Sequence, residues 1–141
     1  MIKSAGLVLI YDNKILLVHP TGAKWYGTYS IPKGHVEKEE NIWESALRET
    51  KEEIGVDIND DINVIDKGYI DYKNDDIVYK RIYYFVIKLN QPIIIDKSKL
   101  QKEEIDWAGF LTKEEANKRI FWRLKPLLQY LDNKIVRESL K

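Results

Sequence analysis

Gly34-His35-Val36-Glu37-Lys38-Glu39-Glu40-Asn41-Ile42-Trp43-Glu44-Ser45-Ala46-Leu47-Arg48-Glu49-Thr50-Lys51-Glu52-Glu53-Ile54-Gly55-Val56 is the stretch on which the fold turns. It reads as a glycine-bearing loop running into one helix with a defined start and stop. Asn41 with Glu44 three residues on is a capping box, and Gly55 stands where a left-handed C-terminal stop is wanted. The spacing therefore predicts a helix over Asn41 to Ile54. At about 100° per residue, Glu49, Glu52 and Glu53 fall within an arc of about 100°. Ala46, Thr50, Trp43, Ile54 and Leu47 fill the neighbouring arc, the one expected to face a sheet. Like charges three and four residues apart destabilise a bare helix by a few tenths of a kcal/mol per pair. A hard divalent cation with oxygen ligands reverses that sign.

Outward from the helix, the chain alternates strand-like and polar runs. Leu7 to Tyr11 and Ile15 to Val18 flank Asp12-Asn13-Lys14 and read as a hairpin or two neighbouring strands. Ile62 to Tyr72 and Ile77 to Leu89 flank the polar turn 73–76, and Ile105 to Leu111 is a last strand. A short edge strand is expected at Pro92 to Ile95. Thr112 with Glu115 repeats the capping-box signature and opens a second helix. Phe121 to Leu131 reads as a third, interrupted or kinked at Pro126. Without repeat, linker or low-complexity tract, residues 1–141 are expected to form one α+β domain, a mixed sheet between helices.

Composition narrows the function classes. Lys plus Arg and Asp plus Glu each number 23 in 141 residues, so no overall field favours nucleic acid or a membrane surface. There is no cysteine, which excludes disulfides and thiolate metal sites. No run approaches the roughly 20 apolar residues that span a bilayer, and the N-terminal apolar run is read as a strand rather than a leader. The expected location is the cytoplasm.

The quoted stretch matches the Nudix box at every fixed position, in Gly34, Glu40, Arg48-Glu49, Glu52-Glu53, Gly55 and Val56. By average residue frequencies such a match arises in on the order of one chain in a million. Thr50 departs mildly, occupying a place where relatives carry a larger aliphatic residue. The chain thus resembles the Nudix hydrolases, and the order of its strands and helices agrees with that family's α/β/α sandwich. The resemblance implies magnesium-dependent addition of water across a diphosphate linkage, with manganese as a substitute. Carried onto this chain, Glu49, Glu52, Glu53 and the Gly34 carbonyl look like metal ligands. Arg48 looks like the residue that orients a catalytic glutamate, with Glu40 supporting it. Glu104, just before the last strand, matches a glutamate used in many relatives as ligand or base. The base stays open among Glu53, Glu49 and Glu104. All box carboxylates and Arg48 are present, which disfavours a catalytically dead nucleotide sensor.

For the substrate, the closest resemblance is to the asymmetric diadenosine tetraphosphate hydrolases. It is carried by Pro32-Lys33-Gly34-His35-Val36-Glu37, Ala46-Leu47-Arg48-Glu49-Thr50 and Tyr79-Lys80-Arg81-Ile82-Tyr83-Tyr84-Phe85. Lys33 and Lys80 are candidate phosphate contacts, and Tyr84 and Tyr72 candidate base-stacking residues. Lys80, Ile82 and Tyr84 share one face of a strand, so Lys80 and Tyr84 are expected together at the ligand. The expected partner is a small-molecule nucleotide. Nucleoside triphosphates, sugar nucleotides and an RNA 5′ end remain alternatives, and the oligomeric state is open.

Overall fold

The computed structural model describes residues 1–58 and 62–132. The last residues of the expected single domain, 133–141, lie outside that set. Strands β1 (Ile2–Tyr11), β2 (Lys14–Pro20) and β3 (Lys33–His35) precede helix α1 (Ile42–Ile54). Then come β4 (Val64–Asn74), β5 (Ile77–Lys88), a 3₁₀ turn (Lys97–Lys99), β6 (Ile105–Leu111), α2 (Lys113–Arg119) and a 3₁₀ helix (Trp122–Asp132). The strands form one mixed sheet in the order β4-β5-β1-β2-β6, with β3 paired to β1.

Alternation along β1 divides the core in two. Leu7 and Leu9 join Leu16, Ile87, Ile105 and the Ala46 and Ile54 of α1 on one face. Val8 and Ile10 join Leu17, Ile82, Val86 and the Leu124, Leu127 and Leu128 of the C-terminal helix on the other. The α+β sandwich expected from the sequence is thus the observed one. No helix among the described residues is long and apolar enough to cross a membrane.

Local signals explain α1 closely. Asn41 Oδ1 accepts from the Glu44 amide at 2.7 Å, and Gly55 ends the helix at φ 72° while its N–H donates to the Lys51 carbonyl. Ala46, Thr50 and Ile54 are buried, and Trp43 and Leu47 pack against the same cluster. Thr50 Oγ1 donates to the Ala46 carbonyl at 2.8 Å, which accommodates its hydroxyl within the apolar arc. Thr112 likewise caps α2, receiving the Glu115 amide.

Four expectations are corrected. β1 begins at Ile2, not Leu7, because its first half pairs in parallel with β5 from Ile2↔Lys80 onward. The turn expected over 73–76 shrinks to Asp75 and Asp76, both at positive φ, because pairing continues to Asn74↔Ile77. Pro92 to Ile95 forms no strand; Ile93 and Ile95 instead pack side chains onto the core. The segment after Phe121 is 3₁₀ rather than α, with Pro126 inside it. A proline there cannot supply the N–H of an α-helical bond.

One irregularity positions the site. β1 and β2 pair only at Ile10↔Ile15 and Tyr11↔Lys14 before they part. Residues 30–35 fill the opening. The Val18 amide donates to the Ser30 carbonyl at 2.8 Å and the Leu7 amide to the Pro32 carbonyl at 3.2 Å. β3 then pairs with β1 from Gly6↔Lys33 to Ser4↔His35. The sheet is therefore split, with residues 30–35 seated between β1 and β2.

Candidate active site

A cleft of about 370 Å³ lies in the split. Its lining brings together Lys33 and Gly34 of β3, Glu49 and Glu53 of α1, Lys80 of β5, and Glu104 from the turn before β6. The C-terminal half of α1 aims its carboxylates at β3, and Gly34 is what allows this. A Cβ on Gly34 would stand 2.0 Å from the Glu49 carboxyl carbon, so any side chain there displaces that carboxylate.

The box carboxylates differ sharply in environment. Glu53 is 5% exposed, and its Oε1 accepts from the Lys33 main-chain N–H at 2.6 Å. Burial pushes its pKa up to about 8; the Lys33 amide and ammonium pull it down, and the charges of Glu49 and Glu104 push it further up. Glu49 is also raised by burial, against the pull of Arg48. Glu52 is exposed and does not line the cleft.

Arg48 organises this group. Its Nε and Nη2 grip Glu40 at 2.7 and 3.0 Å, and Nη1 donates to Glu49 at 2.9 Å and to Glu52 at 3.0 Å. Nη2 also reaches the His35 carbonyl at 3.0 Å, tying helix to loop. The bidentate pair with Arg48 holds Glu40 down at about 2, so Glu40 stays ionised as the arginine's anchor.

Glu104 is held differently. Its carboxylate takes no hydrogen bond or ion pair among the described residues, but its main chain is clamped on both sides. The Thr21 amide donates to the Glu104 carbonyl at 2.9 Å, and the Glu104 amide donates to the Gln101 carbonyl at 2.9 Å. Nearby, His19 is buried, its Nδ1 paired with Asp106 and its Nε2 facing the Ala23 and Lys24 carbonyls. Its ring stacks on Trp25 at 3.9 Å. His19 thus serves the loop architecture and does not line the cleft.

A smaller cleft of about 230 Å³ adjoins the first and shares Pro20, Ser30, Lys33 and Lys80 with it. Tyr72 and Phe121 form its aromatic wall, edge to face at 5.9 Å. The Tyr72 ring is flanked by Lys80 Nζ at 5.7 Å and the Arg123 guanidinium at 5.3 Å. Tyr84, expected beside Lys80, lines neither cleft. It shares the strand face with Lys80, yet four residues at roughly 3.4 Å each carry it about 14 Å along the strand, where its hydroxyl meets that of Tyr130 at 3.4 Å. Phe121 was missed in the sequence because its place depends on the last 3₁₀ helix folding back beside β4.

The donors available to a cation are all oxygen, matching a hard divalent ion. Among the described residues no three acidic or histidine side chains converge closely enough to ligate one ion together, since Glu49 and Glu52 turn toward Arg48. The chemistry of the set still fits. Glu49, Glu53 and Glu104 repel one another in a partly desolvated cleft, and a cation among them removes that cost.

The NUDIX domain family model matches residues 1–131. The chain belongs to the Nudix family. The crystal structure of a C. elegans Ap4A hydrolase binary complex superposes with a TM-score of 0.75 at 25% identity, covering 97% of this chain and 99% of that one. The E. coli dihydroneopterin triphosphate pyrophosphohydrolase shares the fold, with a TM-score of 0.70 at 17% identity over 93% of this chain and 95% of that one. In sequence, the chain is 33% identical over 109 residues to the mRNA-decapping enzyme subunit 2 of Saccharomyces cerevisiae (strain YJM789). That match covers 74% of this chain but only 10% of the yeast protein. Members of this family generally use a divalent metal.

Proposed function

We propose that this Nudix protein is a magnesium-dependent hydrolase of dinucleoside polyphosphates, cutting diadenosine tetraphosphate asymmetrically to ATP and AMP. One observation carries the reading: carboxylates, paired lysines and an aromatic wall succeed one another along two joined clefts. That order suits an elongated polyphosphate with a base at its far end. The likeness to the C. elegans Ap4A hydrolase supports it.

Glu49, Glu53, Glu104 and the Gly34 carbonyl are the proposed ligands, with Glu52 an outer member that shares Arg48 with Glu49. Bound magnesium, or manganese in its place, would neutralise phosphate oxygens and the leaving phosphate. Glu53 is the proposed general base. The Lys33 N–H fixes its Oε1, leaving Oε2 to take the proton of the attacking water. Arg48 keeps Glu49 oriented, and Lys33 and Lys80 balance the charge of the polyphosphate. Phe121, backed by the largely buried Tyr72, offers an aromatic wall for a base.

A second reading, hydrolysis at an RNA 5′ end, is favoured by the likeness to the decapping enzyme. Turnover of diadenosine tetraphosphate, ATP, ADP-ribose, 5′-triphosphorylated RNA and capped RNA, with products separated by ion exchange, decides between them. The expected outcome is fastest release of ATP and AMP from the dinucleotide. Faster cleavage of either RNA would overturn the assignment while leaving the carboxylate chemistry intact.

A further inference from the structure

Ser4 sits within β1 at 1% exposure. It is one of two buried hydroxyls among the described residues with no hydrogen-bond partner, and of the two it alone lines the cleft. The sheet register fixes its surroundings. Ile2 stands opposite Lys80 across β1 and β5, and Gly6 opposite Lys33 across β1 and β3. Cross-strand partners share a face, as do residues two apart on one strand. Lys80, Ser4 and Lys33 therefore leave the sheet on the same side, with the serine between the two lysines.

Lys33 and Lys80 both line the two joined clefts. Two cations crowd one space, and an unmet hydroxyl faces the same space. A buried hydroxyl without a partner is unfavourable in the free protein. All three features are complementary to one tetrahedral group rich in acceptor oxygens.

We propose that Ser4 is a phosphate-binding residue, its Oγ donating to an oxygen of the phosphate seated between Lys33 and Lys80. This rests on reading the cleft as the pyrophosphate site. It adds a preference for substrates that carry a further phosphate beyond the pair whose linkage is cut.

Calorimetric binding of inorganic tripolyphosphate to the full chain, without and with magnesium, tests this without depending on the natural substrate. Ser4→Ala is expected to bind about tenfold more weakly, as loss of a hydrogen bond to a charged group implies. Its melting temperature should equal or exceed the parent's, because the hydroxyl stabilises nothing in the free protein. Lys80→Met serves as the second variant. Weakening by Lys80→Met with parent-like affinity in Ser4→Ala would overturn the role of Ser4 and leave the cleft reading standing. Unchanged affinity in both variants would overturn the cleft reading and Ser4 with it.

Discussion

On one side of the split sheet, two box carboxylates come from a single helix, and β3 supplies the loop they face. On the other, the aromatic wall joins Tyr72 of β4, Lys80 of β5 and Phe121 after α2. The first half is held by short-range geometry. Helical periodicity sets Glu49 and Glu53 on one side, and Arg48 reaches back to Glu40 and the His35 carbonyl. The second half exists only when β4 pairs with β5 in the register Tyr72↔Lys80 and the last helix folds back. The proposed chemistry thus falls to the local half, and the proposed recognition to the half assembled from distant segments.

The largest expected effect lies in the carboxylate half. Glu53→Gln is predicted to lose at least about 2–4 kcal/mol of transition-state stabilisation, a drop in kcat of roughly 30- to 1,000-fold. Steady-state kinetics at saturating magnesium checks it, and near-normal kcat would remove Glu53 as base. The same variant has a stability signature in the metal-free protein. The folded pKa of Glu53 is raised from 4.5 to about 8, so the unfolded chain releases this proton at lower pH than the folded one. Stability from this group is therefore present below about pH 4.5 and is lost as pH rises toward 8. Thermal melts should show a decline over that window, on the order of 2–4 kcal/mol, which Glu53→Gln removes. A parent-like decline in the variant would assign the pH dependence to other groups.

The contrast between halves also explains what was legible in the sequence. The helix, its cap, its stop and its acidic arc follow from spacing within residues 34–56, where periodicity and the box pattern agree. Even there, spacing alone could not separate Glu52 from Glu53. Adjacent on the helix, they end up exposed and buried because β3 docks over only one of them. The register of β4 and β5 placed Tyr72 and Lys80 together, whereas a strand face taken without its length suggested Tyr84. Ser4 was unreadable, since its meaning comes from the three strands that bury it and leave its hydroxyl unmatched.

In the recognition half, Tyr72→Ala is expected to raise KM by about 5- to 150-fold with a smaller change in kcat, as stacking worth roughly 1–3 kcal/mol is lost. Tyr72→Phe should stay near the parent, because the ring and not the hydroxyl does the stacking. Equal losses in the two variants would shift the role to the hydroxyl. A fall in kcat with unchanged KM would dissolve the division between halves.

The smallest effect is the most discriminating. Tyr84 belongs to the same strand face as Lys80, so a reading by strand face alone predicts that Tyr84→Phe weakens substrate binding. The geometry predicts otherwise. Among the described residues the Tyr84 hydroxyl meets only that of Tyr130, at the long distance of 3.4 Å, and neither residue lines either of the two joined clefts. Tyr130 also bonds Asp66, so the partner keeps an acceptor when Tyr84 loses its oxygen. Tyr84→Phe should therefore leave kcat and KM within about twofold and cost no more than about 0.5–1 kcal/mol in denaturant unfolding. A several-fold rise in KM would mean that the recognition surface runs the length of the strand face, and that the ligand reaches well past Tyr72.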